Sequence, residues 1–345
     1  AASVNAATAT VLALAGASPL TAGTCSATAY TVTTKDALGN ISNVGSNTNL
    51  TLSGAGSGSF YATAGCGAGA VTSVTVSSGQ SVATFYYKND TSQSVTLASD
   101  SGGFSQSTKV VAIDPAAATV LTLAGATPLT AGTCSATAYT VRTKDTFGNI
   151  SAVGGNTGLT LSGAGAGAFY GTAGCGAGSI SSVTVGSGQS EATFYFKNNT
   201  AQSVTLVSAS GGFTQSSQAV TIDPAAATVL ALAGASPLTA GTCSATAYSL
   251  TTKDAFGNVS NVGSNTGVTL AGAGSGLFYA TAGCGAGAVS SVTVSSGQSL
   301  ATFYYKNNVS QSVTLTSDSG GYSQATKALT IDPASATVLT LAGAT

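Results

Sequence analysis

The chain repeats itself with a period of 109 residues. Cysteines stand at positions 25, 134 and 243 and again at 66, 175 and 284, both series advancing by that step. The stretch GQSVATFYYKN from Gly79 to Asn89 returns as GQSEATFYFKN from Gly188 to Asn198 and as GQSLATFYYKN from Gly297 to Asn307. Three units of about 100 residues each are of ordinary size for small sandwich domains. The period is too long for the usual helical solenoids.

Comparison of the copies assigns faces. One position reads Val82, Glu191 and Leu300, and a site that accepts glutamate faces water. Side chains alternate along a strand, so Thr84, Tyr86 and Lys88 share that wet face while Ala83, Phe85 and Tyr87 point inward. The second copy carries Phe196 in place of Tyr87, so the buried ring requires no hydroxyl. The stretch reads as a half-buried strand.

The other elements supply partners for it. Leu12 and Leu14 alternate with small residues as a first strand would, until Gly16 and Pro19 end it. Thr24 to Asp36 is the longest strand candidate, with Tyr30, Val32 and Thr34 inward because Thr33 becomes Arg142. Asp36 to Asn40 is a turn, its Asp and Asn suited to side-chain-to-backbone bonds. Further strands are expected at Leu50–Leu52, Ser59–Tyr61, Val71–Val76, Ser94–Ala98 and Phe104–Ile113. Seven or eight strands per unit with Gly-rich turns and no helical periodicity predict an all-β chain of three antiparallel sandwiches. The joints Asp114-Pro115-Ala116, Asp223-Pro224-Ala225 and Asp332-Pro333-Ala334 are short and proline-stiffened, which predicts a rod.

The expected units are 1–114, 115–223 and 224–332, with 333–345 opening a fourth. Asn5-Ala6 stands where the later copies have Asp-Pro, and the start Ala1-Ala2-Ser3 in a chain without methionine reads as a processed or excised segment. Ala334 to Thr345 matches Ala116 to Thr127 save for Ser335, so Leu339 and Leu341 are expected on one face of a strand that needs a partner. That partner comes either from further repeats or from strand addition to a neighbouring molecule. Continuation is favoured because each unit already owns a first strand.

Charged residues form 6% of the chain and the net charge is −1, which excludes the basic surface that nucleic acid or an anionic membrane calls for. No apolar run approaches the roughly 18 residues of a membrane-spanning helix. Hydroxyl and amide groups solvate the surface, a composition that favours self-association.

The stretches TCSATAYTVTTKDALGN, GSGSFYATAGC and SGQSVATFYYKN resemble the bacterial immunoglobulin-like tandem repeats of invasin- and intimin-type surface proteins, in particular cysteine-containing ones. The likeness covers all three units and is most specific at KDxxGN and ATFYYK. It implies an immunoglobulin-like sandwich fold, a place on the bacterial cell surface, a stalk or adhesive role, and a disulfide between the positions of Cys25 and Cys66. By the same modularity the bridges would be Cys134–Cys175 and Cys243–Cys284, whereas loop entropy alone serves Cys66–Cys134 equally well. If the strand from Thr24 ran without a bulge, Cys25 would lie on its wet face.

No other chemistry is expected. Two cysteines per unit suit a disulfide framework; zinc wants more ligands and the chain has no histidine. That lack, with a single glutamate, argues against catalysis. GAGSG at 54–58 lacks the Lys-Ser/Thr of a phosphate loop, and Asp36, Asn40 and Asp114 offer too few oxygens for calcium. A Lys-to-Asn crosslink through Lys88 or Lys35 would need a buried lysine with an acidic neighbour, and by the copies Lys88 lies on the wet face. Sequons at Asn40, Asn49 and Asn89 read as polar loops. No cofactor, metal or catalytic residue is assigned. Tyr86, Tyr195 and Tyr304 recur on the wet face as a possible contact surface, or as cross-strand partners. The chain thus reads as an extracellular stalk or filament unit that self-associates or continues into a fibre, with an adhesin for a glycan or host protein as the alternative.

Overall fold

The computed structural model describes residues 5–285, 287–338 and 340–341. The first unit contains β1 (Val11–Ala15), β2 (Leu20–Thr21), β3 (Tyr30–Lys35), β4 (Thr48–Ser53), β5 (Ser59–Tyr61), β6 (Ala70–Val71), β7 (Ser73–Val76), β8 (Val82–Lys88), β9 (Gln93–Asp100) and β10 (Ser107–Asp114). They form two five-stranded sheets, ordered β1-β3-β8-β5-β6 and β2-β10-β9-β4-β7. Pairing is antiparallel except between β2 and β10, where Leu20 lies beside Ile113 in parallel. Units two and three repeat both orders, giving three tandem immunoglobulin-like sandwiches. The helical content of the described residues is one three-residue 3-10 turn per unit, Ala64–Cys66 in the first.

β8 carries the core, as its alternation requires. Ala83, Phe85 and Tyr87 are buried, while Val82 and Thr84 are exposed and Tyr86 and Lys88 half-buried. β8 lies between β3 and β5, so its inward rings meet Tyr30 and Phe60. Tyr30 stacks on Phe85 with centroids 5.4 Å apart, and Phe60 meets Phe85 edge-on at 5.3 Å. Each such pair adds about 0.5–1.5 kcal/mol to its area burial. Leu50, Leu97 and Val111 close the cluster from the facing sheet, all with no exposed surface. The Tyr87 hydroxyl is satisfied, donating to the Ala55 carbonyl at 2.6 Å and accepting from Asn89 Nδ2 at 2.9 Å. Where unit two has Phe196, Asn198 Nδ2 donates to the Ala164 carbonyl at 3.4 Å instead. The buried amide tolerates loss of the hydroxyl because a backbone acceptor lies within its reach.

Several expected boundaries are corrected. The strand expected over Thr24–Asp36 begins only at Tyr30. Ser26 ends the upstream part by folding onto β8, its amide donating to the Tyr87 carbonyl and its hydroxyl accepting the Tyr87 amide. Bends at Ala27 and Thr28 follow, so alternation counted from Thr33 does not carry back to Cys25, which is half-buried rather than on a wet face. The stretch Val71–Val76 is two strands in different sheets: Val71 pairs with Phe60, and Val74 with Leu50. The chain passes between the sheets at Thr72, whose carbonyl accepts the Leu52 amide. β10 starts at Ser107 because Phe104 closes a turn onto Ser101. With the two-residue β2 the strands number ten per unit. The strand expected after Ala334 includes Leu339 and Ala342–Thr345, which lie outside the described residues. Among the described residues the segment pairs with nothing, and Leu341 is fully exposed; its copy Val120–Ala124 is a strand because Tyr139–Lys144 holds it.

Candidate interaction surfaces

Each unit holds one disulfide: Cys25–Cys66, Cys134–Cys175 and Cys243–Cys284, with Cα atoms 5.7 Å apart in every case. Cys25 forms an isolated bridge to Lys88 at the end of β8, and Cys66 closes the 3-10 turn in the Gly-rich loop after β5. The bond ties that loop to a sheet margin and leaves the core cluster untouched.

Tyr86, Tyr195 and Tyr304 lie on the outer side of their sheets, each directly opposite another tyrosine on the neighbouring strand: Tyr61, Tyr170 and Tyr279. All six are half-buried. Directly opposed cross-strand residues have their Cβ atoms about 4.5–5.5 Å apart. Each unit therefore carries two tyrosines at opposed register positions on this side of the sheet, and the second member, on a three-residue strand, escaped the sequence reading. On unit two alone, Arg142 Nε meets Glu191 Oε2 at 2.7 Å across the sheet, beside an open groove lined by Thr122, Ala124 and Ile150.

The most elaborated polar structure is the turn after β3. Asp36 Oδ1 accepts the amides of Leu38 and Asn40 at 3.0 and 2.9 Å, and Oδ2 accepts Asn40 Nδ2 and the Ala7 amide at 3.0 and 3.1 Å. In unit two Asp145 does the same for Phe147, Asn149 and Ala116. These aspartates are 0–1% exposed. The Asn40 side-chain bond is the main force holding the Asp36 carboxyl below the usual carboxylate range, against the opposing effect of burial. For Asp145 and Asp254 burial pulls upward most strongly, yet the bonds from Asn149 or Asn258 and the backbone amides together leave the carboxyl lowered. Four N–H donors crowd each carboxylate, an arrangement suited to ordering a turn rather than to receiving a cation. Asp114 stands exposed at the end of β10, and the described residues hold no group of three or more His, Cys, Asp or Glu.

This turn also makes the contact between units. Asn149 of unit two reaches into unit one, its Oδ1 accepting the Ser92 amide at 2.8 Å and its Nδ2 donating to the Asp90 carbonyl at 2.8 Å. Asn258 binds the Ala201 amide and the Asn199 carbonyl of unit two in the same way. Beside each asparagine a ring lies on a glycine of the preceding unit: a β-carbon built on Gly23 would sit 2.1 Å from Phe147 Cζ, and one on Gly132 2.0 Å from Phe256 Cζ. No side chain larger than hydrogen fits beneath either ring. Asp145 thus joins three things: its own turn, the linker at Ala116 and the asparagine that grips the neighbour. The sequence reading found the turn but missed this reach, although the apolar Phe147 and Phe256 at the tip of a polar turn were a visible signal.

No family model matches the chain, and no curated protein does. Solved structures do. Invasin, a bacterial integrin-binding protein, is 15% identical over 94% of this chain and 60% of its own, with a TM-score of 0.35. InvD of Yersinia pseudotuberculosis is 16% identical over 93% of this chain and 97% of its own, at 0.37. The D00-D0 domain of intimin is 12% identical over 62% of this chain and 100% of its own, at 0.32. The chain spans 60% of the length of the invasin structure. Likeness at this level extends to no residue and no activity.

Proposed function

We propose that the chain is an extracellular structural protein, a stalk or the building unit of a bacterial surface filament, composed of units 1–114, 115–223 and 224–332 with 333–345 opening a further one. The observation that carries this reading is the repeated joint: the same asparagine, the same ring on glycine and the same linker bond occur at both unit boundaries. A protein whose elaborated polar chemistry lies between its units, rather than in a cleft of one, is organised to hold those units in line. One disulfide per unit supports an oxidising compartment. Electron micrographs of the native surface material test the proposal: thin fibres with a regular unit repeat are expected, and discrete compact particles would overturn it.

A second reading, an adhesin for a glycan or host protein, is favoured by the paired outer tyrosines, which recur in every unit at fixed spacing. Binding on a glycan array that falls on replacing Tyr86, Tyr195 and Tyr304 by serine would support it. Unchanged binding would remove the tyrosines from the account.

A further inference from the structure

Each unit holds its two ends side by side. In unit one, residues 10–22 run parallel to residues 105–114, first through β1 and then, after the chain crosses to the other sheet, through β2. Hydrogen bonds follow one another along this seam. The Ser105 amide donates to the Thr10 carbonyl at 2.9 Å and the Leu12 amide to the Ser105 carbonyl at 3.4 Å. The Leu14 amide then donates to Ser107 Oγ at 2.8 Å and the Ala112 amide to Ser18 Oγ at 3.1 Å. Leu20 pairs in parallel with Ile113, and the Ala22 amide closes the seam on the Asp114 carbonyl at 2.8 Å. The serine-mediated partners stay 93 and 94 positions apart, so register is kept across the change of sheet, with two hydroxyls as rungs. Unit two repeats the seam through Thr119, Thr214, Ser216 and Thr127. Unit three keeps it at Thr228, Ser323, Ser236 and Asp332, but Ala325 stands in the place of Ser107 and Ser216 and offers the Leu232 amide no hydroxyl. The disulfide lies just beyond the seam: Cys25 and Cys66 are 41 positions apart, and residues 10–22 and 105–114 fall outside the loop they close.

We propose that this seam is a clamp that bears tension along the stalk, with unit three set to yield first and each disulfide limiting the length released. The chain enters a unit at the start of one seam segment and leaves it at the end of the other, so tension slides the two segments past each other along their common axis. Evenly spaced parallel rungs are then strained together, whereas an antiparallel pair pulled from adjacent ends opens one rung at a time. Unit three spreads the same tension over one rung fewer. Once a seam parts, residues 25–66, which include β3, β4 and β5, remain in the closed loop and out of the path of tension. A yielding unit therefore releases about 68 of its 109 residues, a lengthening of roughly 200 Å at up to 3.6 Å per residue less the folded length; reduction raises this to roughly 350 Å. The proposal rests on the stalk reading above, because only a chain held at both ends carries tension along its axis.

The test is constant-force stretching of the whole oxidised chain by its two ends. Three steps of roughly 200 Å are expected, one of them faster than the other two. Forced unfolding follows the unfolding rate, and loss of one hydrogen bond speeds it by about two- to tenfold. Ala325→Ser removes the fast step, and Ser107→Ala produces a second one; unit three already carries alanine at this place, so the latter variant folds. Thr34→Val is the control. Thr34 Oγ1 donates to the Ser42 carbonyl at 2.7 Å inside the closed loop, so its loss lowers the urea midpoint of unit one and leaves all three step rates unchanged. Step rates indifferent to residues 107 and 325 would overturn the clamp, as would a Thr34→Val chain that yields as fast as Ser107→Ala. Steps near 350 Å before reduction would overturn the limit set by the disulfide. Each of these results leaves the stalk standing, since that reading is tested by fibres in the native material.

Discussion

Replacing Asp145 by asparagine preserves the size of the side chain and reverses half of its chemistry. The carboxylate accepts four hydrogen bonds, at 2.9 Å from each of the Phe147 and Asn149 amides, 2.8 Å from Asn149 Nδ2 and 3.0 Å from the Ala116 amide. Whichever way the new amide turns, its NH2 faces two of these donors, so two bonds are lost and their donors are left without a partner. A hydrogen bond to a charged group contributes about 1.5–3 kcal/mol, and partial relaxation of the surface half of the turn discounts the pair. We expect unit two to lose about 2–4 kcal/mol, a large part of the 5–15 kcal/mol of an ordinary domain. Urea unfolding under non-reducing conditions measures this as an earlier transition for one unit of three. The same change at exposed Asp114 should stay within about 0.5 kcal/mol. Because Asp145 also orders Asn149, protection of the Ser92 amide in unit one should fall with it. An Asp145→Asn chain that unfolds like wild type and keeps Ser92 protected would refute the reasoning. The same carboxylates set the acid limit. Their folded pKa lies below the unfolded value of about 3.9, so the stability they contribute is present above that value and is lost as pH falls through the lower folded one. Acid unfolding followed by circular dichroism should therefore begin only below about pH 4.

Other predictions are read from single elements. Replacing both Cys25 and Cys66 by serine should cost unit one about 4 kcal/mol in the chain-entropy account, measured by urea unfolding, with Ser92 protection retained while the unit remains folded. Tyr87→Phe should cost about 1 kcal/mol or less, because Asn89 can turn to the Ala55 carbonyl as Asn198 turns to Ala164; a loss several times larger would show that the second unit compensates elsewhere. Burial pushes the Tyr30, Tyr139 and Tyr248 hydroxyls up to about 12. Their contribution to stability is complete below the unfolded value of about 10 and is lost as pH rises through the folded one, so ultraviolet titration should show these phenols ionising together with alkaline unfolding. A double-mutant cycle on Arg142 and Glu191 should give only about 0.2–1 kcal/mol, since the pair is open to water.

The sandwich was legible because the chain carries its own substitution experiment. Val82, Glu191 and Leu300 marked the wet face of β8, and the structure buries the opposite parity. Strands whose period spans five or more residues, such as β1 and β8, were found close to their limits. β2, with two residues, has no period to read. Alternation cannot register a crossing between sheets, which is why β6 and β7 were read as one strand. Parity from Thr33 failed at Cys25 because Ser26 substitutes a side-chain acceptor for a backbone one. The Asp36 turn was recognised from residues that bond locally, whereas the reach of Asn149 to Ser92 spans 57 positions of sequence and belongs to no local pattern. Phe147 and Phe256 become intelligible once Gly23 and Gly132 lie beneath them.

Small-angle scattering of the single chain, at concentrations where it is monomeric, measures directly whether the joints hold the units in line. Three units of roughly 38 Å laid end to end give a radius of gyration of about 33 Å, and Asn149→Ala with Asn258→Ala should broaden the distance distribution by letting the joints bend. A radius near the roughly 20 Å of a compact globule of this length, or a distribution indifferent to both asparagines, would contradict the in-line arrangement.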